Sequence, residues 1–70
     1  MPLTWMKAGE PGTIKKVGGR EDTRRLLENL GFTAGCVVTV VSEMSGNIIV
    51  NVKNARIAIG KDMANKILVQ

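Results

Sequence analysis

Apolar residues near the middle of the chain are spaced as in an amphipathic helix. Leu26, Leu27 and Leu30 recur at helical spacing, so they place one apolar stripe on a short helix predicted over residues 22–30. The acidic and hydroxyl side chains of residues 21–23 suit an N-cap and the positive end of the helix dipole. We therefore expect a helix whose leucine stripe packs on the rest of the fold.

The helix is followed at once by a strand pattern. Gly31 stands where a helix end favours a residue that tolerates positive φ, and Gly35 allows a second sharp bend. The run from Val37 to Val41 is β-branched throughout, which favours a strand, predicted over residues 36–43. Both faces of this run are nearly apolar, which predicts a strand covered on both sides.

The remaining apolar runs are short and separated by turn residues. Further strands are predicted over residues 13–17, 48–52, 55–59 and 67–69, with turns at 45–47 and 53–54 and a helical turn at 61–65. Five short strands with one short α-helix and a C-terminal helical turn indicate a mainly β fold. A small, partly open β-barrel is the expected form, because closure protects sheet edges. Residues 1–70 form a single domain, since a chain of this length holds one core.

The aromatic content is too low for several binding modes. Trp5 and Phe32 are the only aromatic residues among the 70. Proline-rich peptides dock in aromatic-lined grooves, and single-stranded nucleic acids stack on aromatic side chains, so both modes are disfavoured. We expect Trp5 to lie in the core, with Leu3 and Met6 as an apolar N-terminal anchor.

Ten lysines and arginines against six acidic residues give a net charge of +4, without a dense basic block. This charge is compatible with an acidic protein partner, nucleic acid or an anionic membrane surface, and equally with a surface that only keeps the domain soluble. The single cysteine, the lack of a secretory signal pattern and the lack of a long apolar run predict a cytoplasmic protein.

The sequence contains little catalytic chemistry. It has no histidine, the commonest general base and transition-metal ligand, and Cys36 has no histidine to activate it. Glu21 and Asp22 are the only adjacent carboxylates, and Gly18-Gly19-Arg20 lacks the longer pattern of a phosphate-binding loop. We expect no enzymatic activity, no cofactor and no metal ligands of the protein's own.

The order of glycines and aliphatic residues resembles that of a known family. Leu-x-x-Leu-Gly at 27–31, Gly35, the Ala-Arg-Ile-Ala-Ile run at 55–59 and the Ala-Asn-Lys-Ile-Leu-Val run at 64–69 are together similar to the FeoA family, small cytosolic proteins of bacterial ferrous-iron uptake. The resemblance covers essentially the whole chain. It implies an SH3-like barrel without enzymatic activity that binds the cytoplasmic part of the membrane GTPase FeoB. Ala34 and Asn54 depart from the proline and glycine that the family commonly has there.

Five residues are candidates for partner contact: Arg24, Arg25, Met44, Lys53 and Arg56. The two arginines on the helix also suit an ordinary solvated face, and Met44 is either an exposed anchor or folds over the barrel end. Two other functions stay open, a nucleic-acid-binding small barrel and the SH3-like module of a metal-dependent repressor system. Exposed sheet edges also allow weak self-association.

Overall fold

The computed structural model describes residues 1–70 and has the predicted strands and helices, with bounds that agree to within two residues. The strands are β1 (Pro11–Val17), β2 (Val37–Met44), β3 (Asn47–Val52), β4 (Ala55–Gly60) and β5 (Ile67–Val69). The helices are α1 (Glu21–Asn29) and α2 (Lys61–Ala64), and a 3₁₀ turn at Leu3–Trp5 precedes them. The mainly β fold is confirmed.

The five strands form one antiparallel sheet in the order β4-β3-β2-β1-β5. The sheet curls but does not close, since β4 and β5 lie at its two ends without pairing to each other. Register shifts leave Val41 as an extra residue in β2 and Lys15 as one in β1, and such bulges bend strands. The predicted partly open barrel is therefore the observed architecture.

Two tight turns set the register of the central hairpins. Ser45 and Gly46 join β2 to β3 with φ values of 51° and 81°, and Lys53 and Asn54 join β3 to β4 with 49° and 64°. Positive φ at both central residues defines a type I′ turn, whose twist matches that of the two strands it joins in a two-residue hairpin. Both turns were expected at these positions and are confirmed.

The corner between α1 and β2 also takes the expected form. Gly31 and Gly35 have φ values of 110° and 90°, which side chains with a Cβ rarely adopt. Phe32 lies between them, fully buried, and its N–H donates to the carbonyl of Leu27. The N–H of Gly35 donates to the carbonyl of Ile14, which ties the corner to β1.

The core is aliphatic apart from Phe32. It consists of Leu3, Ile14, Val17, Leu27, Phe32, Val38, Val40, Ile48, Val50, Val52, Ile59, Ala64, Ile67 and Val69, with Met6, Cys36, Ile57 and Met63 packed against it. No charged or polar side chain is buried in it. The core thus draws on every strand, on both helices and on the N-terminal turn.

The leucine stripe of α1 was predicted too wide. Leu27 is fully buried, but Leu26 and Leu30 are 51% and 39% exposed. The helix has only nine residues and packs against β1, so one leucine reaches the core while its neighbours on the apolar side stay at the rim. The predicted side-chain N-cap is also wrong, because Arg20 occupies that position and makes no capping hydrogen bond. The acidic first turn is present as expected, and Oδ1 of Asp22 accepts a hydrogen bond from the N–H of Thr23.

Two further expectations about burial are wrong. Trp5 is 72% exposed, whereas Leu3 is buried. Residues three apart eclipse each other in a 3₁₀ turn, so Leu3 and Met6 share the inward side and Trp5 points elsewhere. The strand β2 is less covered on its outer face than expected: Val38 is fully buried, whereas Val37 is 55% exposed and Thr39 is only half-buried.

None of the helices has the length and apolar character that crossing a membrane requires.

Candidate functional site

The structure divides the five candidate contact residues among three places. Met44 is 62% exposed beside the β2–β3 turn, at one end of β3. Lys53 and Arg56 lie at the other end, in the β3–β4 turn and early in β4. At about 3.3 Å per strand residue, the two turns are about 20 Å apart. A single small contact therefore cannot include both turns, and Arg24 and Arg25 lie apart on α1.

An open groove lies beside Lys53 on the outer face of the sheet. It has a volume of about 390 Å³ and is lined by Val37, Thr39, Asn51, Val52, Lys53 and Asn54. A second hollow of about 540 Å³, lined by Pro11, Gly12, Thr13, Val37 and Gln70, shares Val37 with the first. We call the two together the outer-sheet groove, and Val37 forms its exposed apolar centre.

Strand register explains why these residues meet. Pro11 pairs with Thr39, Thr39 with Asn51, and Asn51 with Arg56, so the four form one row across β1, β2, β3 and β4. Their neighbours along the strands point to the core, because side chains alternate between the two faces. The row ends in the cation of Arg56, and Lys53 lies two residues after Asn51, in the β3–β4 turn.

Lys53 and Arg56 are exposed, and neither takes part in an ion pair. The two ion pairs of the structure lie elsewhere: Arg25 with Glu21 on α1, at 2.8 Å, and Lys61 with Glu43 near the opposite turn. This end of the outer-sheet groove therefore has two positive charges available to an anionic ligand or an acidic protein surface.

The end of α1 approaches the same turn. A methyl group on Gly31 would lie 3.5 Å from Cδ of Lys53 and 3.8 Å from Cγ1 of Val52. Leu30, which precedes Gly31 in the chain, is 39% exposed. Of the two predicted arginines, Arg25 is held by Glu21, whereas Arg24 has no ion pair.

Cys36, considered above as a nucleophile without an activating histidine, has a hydroxyl group as its neighbour. Its Sγ lies 2.9 Å from Oγ1 of Thr33, and the side chain is half-buried against the core. No group of three or more histidine, cysteine, aspartate or glutamate side chains is placed to hold a metal ion. The groups that line the outer-sheet groove are amides, hydroxyls, aliphatic side chains and the ammonium group of Lys53, and Arg56 lies beside them in the row across the sheet.

Sequence reasoning missed Val37, Thr39 and Asn51 as surface residues of this groove. Asn51 was the available signal, since one amide interrupts the apolar run of β3 at an alternating position. Val37 gave no such signal, because an exposed valine and a buried one look alike in a β-branched run.

Comparison with known proteins identifies relatives over the full length. The model of the FeoA domain family matches residues 1–70. A candidate Fe(2+) transport protein A of Methanocaldococcus jannaschii is 32% identical over 69 residues, which cover 99% of this chain and 84% of that protein. The crystal structure of an iron uptake regulatory protein, FeoA, superposes with a TM-score of 0.91 at 34% identity, covering all of this chain and 95% of the other.

A more distant structure shares the fold. The zinc complex of FeoA from Stenotrophomonas maltophilia, described as a prokaryotic SH3 domain protein and a candidate activating factor of ferrous iron transport, superposes with a TM-score of 0.88 at 22% identity. The match covers all of this chain and 89% of that one. The SH3-like form expected from the sequence is thus confirmed.

Proposed function

The chain belongs to the FeoA domain family, and from that membership we propose that it is a cytoplasmic accessory protein of ferrous iron uptake. It acts by binding the cytoplasmic region of the membrane GTPase FeoB and so modulates Fe(II) transport, without catalysing a reaction of its own. The observation that carries this proposal is the match of the family model to all 70 residues.

The surface described above supports a binding role. The outer-sheet groove offers an exposed valine, several amides and hydroxyls, and the unpaired cation of Lys53, and the unpaired cation of Arg56 lies beside Asn51 of the groove. Protein interfaces commonly combine an apolar centre with a polar rim. Charges at such a rim steer association with a partner of opposite sign and affect the association rate more than the final affinity.

The direct test is a binding measurement with purified components. The cytoplasmic region of FeoB from the same organism is immobilised, and this protein is passed over it without nucleotide, with GDP and with a non-hydrolysable GTP analogue. We expect saturable binding in at least one nucleotide state. The absence of binding in all three, together with unchanged Fe(II) uptake after deletion of the gene, would contradict the proposal.

GTP turnover by FeoB, measured in the same samples, shows what binding does. An arginine supplied in trans can stabilise the charge of phosphoryl transfer, and Arg24 is the exposed α1 arginine without an ion pair. If this protein raises the turnover number and Arg24→Ala abolishes the rise without weakening binding, Arg24 acts in that way. If turnover is unchanged by the protein, its effect lies in assembly or gating.

Nucleic-acid binding is the competing hypothesis, and it stays a prediction from the net charge of +4. A salt titration with single-stranded and duplex DNA and RNA separates it from protein binding. Binding to phosphates weakens steeply as salt rises, because bound counterions are released.

A further inference from the structure

The two end strands of the sheet are protected very differently. At the β5 end, the N-terminal residues run alongside the strand: Pro2 bridges to Leu68, and the N–H of Val69 donates to the carbonyl of Met1 at 2.7 Å. The N-terminal amino group donates to the carbonyl of Val69 at 2.8 Å. That edge is covered, and it also contains a proline, which cannot extend a ladder.

The β4 end has no such cover. β4 contacts β3 on one side and α2 beyond its own C-terminal end, and no strand pairs with its other side. It is six residues long, twice the length of β5, and contains neither a proline nor a bulge. Natural sheets usually shorten, bend or block an edge of this kind, because it is a template for another strand.

The turn geometry identifies which backbone groups are free. In a two-residue hairpin the pair next to the turn, Val52 and Ala55, is hydrogen-bonded, and bonded and non-bonded pairs then alternate. The N–H and C=O groups of Arg56 and Ala58 therefore point away from β3. Neither residue takes part in any of the backbone hydrogen bonds outside the helices and strands, and both are exposed.

Charge near this edge selects the kind of strand that fits. Arg56 lies on β4, Lys53 lies in the turn before it, and neither is in an ion pair. The acidic residues Glu43 and Asp62 belong to the opposite end of β4, where Glu43 pairs with Lys61. A second copy of this chain would bring another net charge of +4 to the same edge, so repulsion disfavours self-pairing.

We propose that the free edge of β4 is a strand-addition site, which binds an extended acidic segment of a partner protein as the sixth strand of the sheet. Main-chain hydrogen bonds to Arg56 and Ala58 supply the affinity, and acidic side chains near Lys53 and Arg56 supply the selectivity. The inference deepens the proposed function and rests on it for the identity of the partner, the cytoplasmic region of FeoB.

Amide hydrogen exchange of the full chain tests the site without any substitution. Two probes are used: the cytoplasmic region of FeoB, and a synthetic peptide of alternating glutamate and valine, with a lysine-for-glutamate peptide as its control. We expect the amides of Arg56 and Ala58 to exchange freely in the protein alone and at least about tenfold more slowly with FeoB and with the acidic peptide. The basic peptide should leave them unprotected.

A proline substitution provides the second test. Ala58→Pro removes the outward N–H and leaves the bonds between β3 and β4 in place, because proline is tolerated where the N–H of an edge strand faces solvent. We expect binding of FeoB to weaken about tenfold or more. Ala58→Thr, which keeps the N–H at the same position, should bind like the original protein, and thermal unfolding shows whether each variant is folded.

The outcomes separate this inference from the proposed function. If FeoB binds but Arg56 and Ala58 stay unprotected and Ala58→Pro binds normally, the edge inference is wrong and the proposed function stands. If FeoB does not bind but the acidic peptide protects both amides, the site is supported and its assigned partner is wrong. If Ala58→Pro instead abolishes a concentration-dependent self-association, the occupant is a second copy and the acidic-segment inference is overturned.

Discussion

Gly31 and Lys53 lie close together at the corner of the fold, so that a methyl group on Gly31 would lie 3.5 Å from Cδ of Lys53. This proximity brings the chain just after α1 to the β3–β4 turn, which forms one end of the outer-sheet groove. Since Gly31 has a φ of 110° and is buried, its backbone conformation sets how the helix end sits on that turn.

Replacing the corner glycines should destabilise the protein through backbone strain. We expect Gly31→Ala and Gly35→Ala each to lower the free energy of unfolding by about 1 to 2 kcal/mol, because their φ values of 110° and 90° are unfavourable for a residue with a Cβ. The two losses should be similar, since a methyl group on Gly31 would meet Lys53 at an ordinary 3.5 Å and one on Gly35 would meet nothing within 4 Å. Denaturant unfolding measures both values.

Gly18→Ala is the matched control for this strain. Gly18 does not have a positive φ, and a methyl group there would lie an ordinary 3.6 Å from the carbonyl oxygen of Lys66. Its effect should stay within about 0.5 kcal/mol. Equal destabilisation by all three alanines would show that strain at the corner is not the cause.

Neighbouring leucines on α1 should respond very differently to truncation. We expect Leu27→Ala to lower the free energy of unfolding by about 2 to 5 kcal/mol, because a fully buried side chain leaves a cavity. Leu26→Ala, at a position 51% exposed, should change it by about 0.5 kcal/mol or less. Similar losses for the two variants, measured by thermal or denaturant unfolding, would mean that α1 is rotated from its described orientation.

A better residue for the β2–β3 turn should stabilise the hairpin. Ser45 adopts a φ of 51° before Gly46, and asparagine tolerates this conformation better than serine. We expect Ser45→Asn to raise the free energy of unfolding by about 0.5 kcal/mol. Ser45→Val should lower it, since a β-branched residue is strained at positive φ. A stabilising effect of valine would indicate a different turn conformation.

Partner binding should depend on the cations of the β3–β4 end more than on cations elsewhere. We expect the double variant Lys53→Ala and Arg56→Ala to slow association with the cytoplasmic region of FeoB about tenfold at low salt, because these unpaired charges steer an acidic partner. The difference should shrink as salt rises. Association rates measured over a range of salt concentrations give both values.

The double variant Lys7→Ala and Lys15→Ala is the charge-matched control. It also removes two positive charges, but from exposed positions before and within β1, and β1 is three strands from β4 in the sheet order. An equal loss of association rate in this control would show that net charge, and not a local surface, attracts the partner.

Much of this fold follows from local sequence. The β-branched runs, the glycines of the corner and the residues Ser45-Gly46 and Lys53-Asn54 determined the strands, the bends and the hairpin register, because each acts over a few neighbouring residues. Composition alone made some functions less favourable: the sequence has no histidine for catalysis or metal binding, and it has too few aromatic residues for a proline-peptide groove or base stacking. The resemblance to FeoA rested on these same positions, and the full-length family match confirmed it.

Only the tertiary structure decided which apolar residues are buried and which edge is free. Leu26, Leu30, Trp5 and Val37 look like core residues in the sequence, yet each lies on a side that no other element covers. The same holds for β4 and β5: both read as strands, but the N-terminal segment pairs with β5 alone. Burial and edge protection depend on contacts between distant segments, and spacing along the chain does not encode which segments meet.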